Sequence, residues 1–255
     1  MSADMTAART CVVFQPTYLP WIGYFDLIDQ ADVFVLLDNV QFEKQSWQQR
    51  NRIRSFNGLE FLTVPVRIKG RFGQAIGEVE LADPMFHLPQ LRAIDLAYGR
   101  APFHARYRDE LAALLAQGAS TGSLCALNTG LIRWFCRQFG IETPIVMASE
   151  LQPEGKRSAM LVDLCRRTDA KTYLSTAGAW QYLHGEQHLF DDAGIALRLH
   201  AYEHPAYRQV YQPFVPYAAA LDLLLNEGEA AGAIMRSGRR PSLTPAQMPA
   251  PTVTN

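Results

Sequence analysis

Polar and aromatic side chains that can bind a small molecule are concentrated in the ten-residue segment "QPTYLPWIGY", residues 15–24. The segment follows the apolar run "CVVF" and precedes a helical pattern, so we expect it to leave a strand at its carboxyl end, where α/β sheets bind ligands. The side chains expected to bind there are Gln15 and Tyr18, through hydrogen bonds, and Trp21 and Tyr24, whose rings can cover a base or a sugar. The alternative is that the rings belong to the core beneath the loop.

A strongly basic stretch follows this loop. Residues 43–71 contain seven basic residues and two acidic ones, in a chain whose formal net charge is −1. In an extended strand, Arg50, Arg52 and Arg54 share one face because side chains alternate. Arginine forks bind pyrophosphate groups well, so Lys44, Arg50 and Arg52 are candidates for binding a sugar nucleotide. The alternative is a charged edge strand that faces solvent.

A second polar and aromatic loop, "EHPAYRQVYQPF", follows the strand-like run "IALRLHAY" near the other end of the chain. We expect Tyr207, Arg208 and Gln209 to contact the same ligand as Gln15. His204 is the candidate general base, since histidine titrates near neutral pH. Its alternative role is that of a turn residue beside a proline. Two carboxylates, Asp38 and Asp222, are the other candidate bases.

Common metal and nucleotide signatures are absent from the sequence. His184 and His188 are four residues apart, as are His200 and His204, but neither pair forms HExxH. The chain has no GxGxxG, and "PEGKRSAM" lacks the upstream glycine of a P-loop. We therefore expect neither a metal nor a cofactor, and we interpret His184 and His188 as surface residues.

The tetrapeptide "WIGY" aligns with the HIGH motif of nucleotidylyltransferases, since both follow a strand, open a helix and contain Ile-Gly. Trp21 and Tyr24 replace the two histidines that stabilise phosphate in that class. The alignment indicates a similar local architecture without the same catalytic groups.

The order of apolar patterns predicts an α/β fold. Strand-like runs alternate with helical patterns, which is typical of a mostly parallel, Rossmann-like sheet with helices on both faces. A β-hairpin is predicted at Asn57-Gly58 and a helical insertion at about residues 84–140. We expect one α/β domain over residues 11–235, with disordered segments at 1–10 and 236–255.

Composition limits the class of protein. The 255 residues are 48% hydrophobic and 19% charged, as in a globular protein, and no basic helical stripe predicts binding to nucleic acid. There is no apolar run of membrane-spanning length and no signal-peptide pattern, so a cytoplasmic protein without membrane contact is expected. The four cysteines are far apart and are predicted to be buried, reduced thiols.

With these residues considered together, the chain resembles the WbqC-like family. The resemblance rests on "FQPTYLPWIGYFDLI", "ADVFVLLDNVQFEKQSWQQRNRI", "GKRSAMLVDLC", "TYLSTAGAWQYL" and "HPAYRQVYQPFVPYAAALDLLLNEG", and it covers roughly residues 11–228. The family's glycine after the "YLS" serine is replaced here by Thr176-Ala177. The resemblance implies a cytoplasmic bacterial protein associated with surface-polysaccharide and sugar-nucleotide pathways.

The residues and the resemblance together predict a transferase that attaches an acyl or aminoacyl group to a nucleotide-activated amino sugar. Its expected partners are a nucleotide-sugar-like small molecule and an acyl carrier protein. Two alternatives are a degenerate HIGH-type nucleotidyltransferase and a non-catalytic subunit that binds a sugar nucleotide or a carrier.

Overall fold

The computed structural model describes residues 8–250, so residues 1–7 and 251–255, which belong to the predicted disordered ends, lie outside the described residues. The strands are β1 (Thr10–Phe14), β2 (Val33–Leu36), β3 (Arg50–Ser55), β4 (Gly58–Thr63), β5 (Ile145–Met147), β6 (Thr172–Thr176), β7 (Ala196–Tyr202) and β8 (Arg239–Leu243). The helices are α1 (Ile22–Asp29), α2 (His87–Tyr98), α3 (His104–Ser120), α4 (Leu124–Phe139), α5 (Ala148–Leu151), α6 (Ser158–Arg167), α7 (Trp180–Leu183), α8 (His188–Asp192), α9 (Ala220–Glu227) and α10 (Ala231–Ser237).

Six strands form the central sheet in the order β5-β2-β1-β6-β7-β8. The first five strands of this order run parallel, and β8 pairs antiparallel with β7. The predicted α/β fold with a mostly parallel sheet is therefore confirmed. From β1, the chain continues to β2 on one side, while β6 and β7 extend the sheet on the other. The strand order consequently reverses between β1 and β6, which is the usual place for a ligand in such sheets.

Apolar side chains cover both faces of the sheet, because the inner strands are apolar at successive positions. On one face, Val12 and Phe34 join a core with α1, α4 and α9. On the other face, Val13 and Val35 join a second core with α6, α7 and α8. The helices on both faces agree with the prediction.

The predicted β-hairpin forms a separate two-stranded sheet of β3 and β4. Its strands pair from Arg50 with Thr63 to Ser55 with Gly58, so Phe56 and Asn57 form the two-residue turn. Gly58 has a φ of +116°, which a residue with a Cβ rarely adopts. The predicted helical insertion consists of α2, α3 and α4.

The prediction that residues 236–255 are disordered is wrong for the part containing β8. Residues 239–243 form the edge strand, and Arg239 reaches the buried carboxylate of Asp26 with its Nε at 2.9 Å from Oδ1. Arg239 and Arg236 also pair with Asp29. These ion pairs and the backbone ladder hold a segment whose own apolar content is low. At the other end, β1 begins at Thr10, inside the segment predicted as disordered.

All four cysteines are free and buried, as predicted. Among the helices of residues 8–250, none combines the length and the apolar character that a membrane span requires.

Candidate functional site

A cavity of about 300 Å³ lies at the junction of the first loop, the hairpin and the segment preceding α9. We name it the aromatic cavity, and the lining residues that matter for its chemistry are Trp21, Tyr24, Trp47, Asn51, Arg52 and Tyr217. The rings of Trp47 and Tyr217 are about half exposed, at 50% and 51%. Of the predicted binding residues, Trp21, Tyr24 and Arg52 therefore meet at one site.

Buried asparagines hold the loop that contributes Trp21. Asn51 Nδ2 donates to the carbonyl oxygens of Tyr18 at 3.1 Å and Leu19 at 2.8 Å. Asn128 Nδ2 donates to the carbonyl oxygen of Pro16 at 3.1 Å and to that of Gln48 at 2.7 Å. Carbonyl groups in a buried loop need such partners, since they are shielded from water. The loop can consequently be both apolar and rigid.

Arg52 supplies the positive charge of the aromatic cavity. Its guanidinium carbon lies 5.3 Å from the centroid of the Trp47 ring, and Nη2 is 3.5 Å from the carbonyl oxygen of Tyr217. Its Nε is buried and has no hydrogen-bond partner within residues 8–250. Among these residues Arg52 also has no ion-pair partner, so its charge is available to an anionic ligand.

The two tyrosines of the loop have different environments. Tyr18 is fully buried and its hydroxyl donates to Oε1 of Gln90, so it does not reach the aromatic cavity. Burial raises the pKa of Tyr18 above its usual value, which keeps the hydroxyl neutral. Tyr24 exposes part of its ring to the cavity, while its hydroxyl donates to the carbonyl oxygen of Gln15 at 3.1 Å.

Gln15 borders a second cavity of about 270 Å³, at the carboxyl ends of β1 and β6. We name it the switch-point cavity, because the strand order reverses there. The Oε1 of Gln15 accepts a hydrogen bond from Gln48 Nε2 at 2.9 Å. Phe14 lines both cavities, so Gln15 and Trp21 lie at adjoining sites.

The other predicted basic residues lie outside the aromatic cavity, in three separate places. The guanidinium carbon of Arg50 lies 4.5 Å from the centroid of the Phe61 ring on the hairpin, outside the residues that line the aromatic cavity. Lys44 borders a separate surface hollow formed with residues 68–74. Arg54 is buried, and its guanidinium donates to the carbonyl oxygens of Ser55 and Pro213.

His204 lies beside the aromatic cavity with both ring nitrogens engaged. Nδ1 is 2.9 Å from the carbonyl oxygen of Pro205, which accepts only, so this nitrogen carries the proton. Nε2 accepts from the backbone N–H of Tyr217 at 3.2 Å. Burial lowers the pKa of His204, against the opposing effect of the Pro205 carbonyl. The ring stacks on Trp21 with centroids 6.1 Å apart.

The second loop turns its other polar residues inward. Tyr207 Oη and Gln209 Nε2 each donate to Oδ2 of the buried Asp222 at 2.7 Å. Burial raises the pKa of Asp222, although these hydrogen bonds and the charge of Arg54 oppose the rise. Arg208 is exposed, and its backbone N–H donates to Glu227. Neither Tyr207 nor Gln209 lines the aromatic cavity.

Asp38 fixes a neighbouring helix start. Oδ1 accepts from the backbone N–H of Ser149 at 2.9 Å, and Oδ2 accepts from the Ser149 hydroxyl at 2.6 Å. It lines neither cavity. Over the described part of the chain, no group of three histidine, cysteine or carboxylate side chains is placed to hold a metal ion.

Of the six lining residues that matter for the chemistry of the aromatic cavity, sequence reasoning missed Trp47, Asn51 and Tyr217. Trp47 stands between basic residues in "EKQSWQQR", and a tryptophan in so polar a stretch was the available signal. Tyr217 has a φ of +65°, which is uncommon for a residue with a Cβ, and its N–H donates to His204. Neither its conformation nor its proximity to residue 52 can be derived from local sequence.

Comparison with known proteins gives the family. The model of the WbqC-like protein family matches residues 15–234, which include both loops and the hairpin. An uncharacterized protein of Mycobacterium tuberculosis (strain H37Rv), Rv1507c, is 33% identical over 233 residues, covering 91% of this chain and 100% of that protein. No solved structure matches the chain at a significant level. The chain therefore belongs to the WbqC-like protein family.

Proposed function

We propose that the aromatic cavity binds a nucleotide-activated amino sugar. The observation that carries the proposal is the position of Arg52, a cation without a carboxylate partner in the described chain, which lies over the Trp47 ring in a cavity that Tyr217 also lines. Stacking on aromatic rings is worth about 1–3 kcal/mol per base. A guanidinium binds phosphate oxygens in a forked geometry. A nucleotide joins these two requirements in one molecule.

The diphosphate of such a ligand can extend toward the hairpin. Arg50 and Arg52 lie on the same face of β3, and residues two apart in a strand are about 7 Å apart. Arg50 rests on Phe61, so it is held near the cavity rather than being free in solvent. We assign the nearer phosphate to Arg52 and the farther one to Arg50.

The proposed reaction is acyl transfer to the amine of the sugar, in the cytoplasm and for surface-polysaccharide synthesis. The amine attacks a thioester carbonyl; the C–N bond forms, the C–S bond breaks, the amine proton passes to a base and the thiolate takes up a proton. An acyl carrier protein is the proposed thioester donor. We favour His204 over Asp38 as the base, because His204 stacks on a lining residue of the cavity. In the substrate complex, the amine of the sugar would donate to His204 Nε2 in place of the backbone N–H of Tyr217.

Two alternatives remain. A non-catalytic binding subunit is favoured by the engagement of both His204 nitrogens and both Asp38 oxygens. A degenerate HIGH-type nucleotidyltransferase is favoured by the place of Trp21 and Tyr24, which both line the aromatic cavity. Neither of these side chains can carry the positive charge that a transferring phosphate requires.

Isothermal titration with UDP-glucosamine tests the binding proposal. Arg52→Ala and Trp47→Ala are expected to weaken binding by about tenfold or more each, equivalent to about 1.4 kcal/mol. Arg92→Ala and Phe72→Ala serve as controls, because both residues are exposed and lie outside the cavity. Equal affinities for all four variants would contradict the proposal.

Turnover separates the transferase from the binding subunit. The assay mixes UDP-glucosamine with an acyl thioester and measures release of free thiol. His204→Ala is expected to reduce the rate by about 100-fold, the usual contribution of a general base. Nucleotide binding without thiol release from any acyl donor would favour the non-catalytic subunit.

A further inference from the structure

We propose that the switch-point cavity is a second binding site, which takes a short, uncharged acyl group. The assignment to an acyl group rests on the proposed transferase function. The existence of the site rests on separate observations: its place in the sheet, its uncharged walls, its oriented donor and the wall that it shares with the aromatic cavity.

The cavity lies where the topology of the sheet favours ligands. Its walls include Phe14 and Gln15 at the end of β1, and Thr176 and Gly178 at the end of β6. These two strands are neighbours, and the chain leaves them in opposite directions across the sheet. Helices therefore do not cover the space above their carboxyl ends.

The walls are suited to a neutral ligand. None of the residues lining the cavity carries a charge, and the apolar part of the wall includes Val13, Leu37 and Leu161. A charged ligand would lose its hydration there without a charged partner. The aromatic cavity differs in this respect, because Arg52 lines it. The two cavities thus select different chemical groups.

The polar part of the wall offers donors for a carbonyl oxygen. Because the Oε1 of Gln15 accepts from Gln48, its Nε2 is turned the other way and keeps its two hydrogens for a ligand. Among residues 8–250, no hydrogen bond engages Nε2 of Gln15 or the side-chain hydroxyls of Thr176 and Tyr182. A carbonyl group on a short apolar chain satisfies these donors and fills the rest of the cavity.

Size sets the length of the acyl group. The volume of about 270 Å³ is close to the 300 Å³ of the aromatic cavity. That space accepts a short acyl group with its thioester. The shared Phe14 ring separates this space from the aromatic cavity, so a donor and an acceptor can occupy adjoining sites.

The test uses S-propionyl-N-acetylcysteamine, a neutral thioester, as the probe in ligand-observed NMR titrations. Gly178→Leu fills the cavity: no heavy atom lies within 4 Å of a Cβ built there, and the backbone needs no positive φ. Gly185→Leu is the matched control, because its Cβ is equally unobstructed and it does not line this cavity. Melting temperatures verify that both variants fold.

Saturable binding that Gly178→Leu weakens by about tenfold or more, while Gly185→Leu leaves it unchanged, supports the proposal. Gln15→Glu should weaken binding as well, because it keeps the acceptor for Gln48 but removes the donors. Absence of binding, equal binding in Gly178→Leu and wild type, or equal binding of propionate would overturn the proposal.

The two proposals fail separately. Arg52→Ala is expected to leave thioester binding unchanged, since Arg52 does not line the switch-point cavity. Thioester binding without any nucleotide binding would contradict the proposed function and retain this site. Nucleotide binding without thioester binding would contradict this site and retain the nucleotide site.

Discussion

Replacing Asn51 by alanine should destabilise the loop that forms one wall of the aromatic cavity. The amide of Asn51 donates to the carbonyl oxygens of Tyr18 and Leu19, and its Oδ1 accepts from the backbone N–H of Arg52 at 2.8 Å. The side chain is 5% exposed. Leu19 has a φ of +41°, which is an unfavourable conformation for a residue with a Cβ. The hydrogen bond from Asn51 Nδ2 to the Leu19 carbonyl oxygen helps to maintain it.

The expected cost follows from these three hydrogen bonds. A buried hydrogen bond contributes about 1 kcal/mol net, and a buried group that loses its partner costs about 1–3 kcal/mol. Asn51 borders the aromatic cavity, so water can reach some of the groups that lose their partner. The destabilisation per lost hydrogen bond should therefore be near the lower end of this range. We expect Asn51→Ala to reduce the free energy of unfolding by about 3 kcal/mol, or the melting temperature by about 6–12 °C.

Urea denaturation followed by circular dichroism measures this change. Asn39→Ala is the control, since Asn39 is exposed, and it should change the free energy of unfolding by less than about 0.5 kcal/mol. Asn51→Asp has nearly the same shape but turns a carboxylate toward two carbonyl oxygens, so it should destabilise at least as much as alanine. A loss for Asn51→Ala no larger than that of Asn39→Ala would refute the reasoning.

Two further predictions concern charged groups. Arg239→Ala should cost about 1.5–3 kcal/mol, because it removes a charged hydrogen-bond partner from the buried carboxylate of Asp26, which keeps His200 and Gln30. Arg240→Ala breaks an exposed ion pair and should cost less than about 1 kcal/mol, and equal losses in urea denaturation would contradict the buried pairing. Burial lowers the pKa of His204 in the folded protein below the ordinary histidine value of 6.5. As the pH falls below 6.5, the imidazole is therefore protonated more readily in the unfolded chain than in the folded one, and the free energy of unfolding should decrease. His204→Gln should weaken this pH dependence of the melting temperature, and an unchanged slope would contradict it.

The parts of the fold with strong local signals could be predicted from the sequence. The unbroken apolar run at Val33–Leu36 predicted a doubly buried strand, and the turn residues near Asn57 predicted the hairpin. By contrast, β8 contains "RRPSL", and no periodic apolar pattern predicts it. Its order depends on Asp26 and Asp29, more than 200 residues earlier in the chain, and long-range ion pairs leave no local signal.

The sequence predicted some of the residues that line the aromatic cavity but not all of them. Aromatic residues in a loop after a strand indicated a ligand site, and Trp21, Tyr24 and Arg52 line one cavity. Tyr18 belongs to the same loop, yet its hydroxyl pairs with Gln90 inside the core. Which of two nearby tyrosines faces a cavity depends on residues supplied by α2 and by the hairpin, and neither is visible in the loop itself.

The pairing of Asp26 with Arg239 has a consequence for the order of events during synthesis. The two residues are 213 positions apart, and at about 5–20 residues per second the ribosome needs about 10–40 s to cover that distance. Until Arg239 has been synthesised, the carboxylate of Asp26 lacks its arginine. Between the synthesis of Tyr202 and that of Arg239, β7 is an open edge that can pair with a neighbouring chain. The edge strand β8 can therefore join the sheet only after the other five strands have been synthesised, and a nascent chain that stops between residues 202 and 239 exposes the unpaired edge of β7.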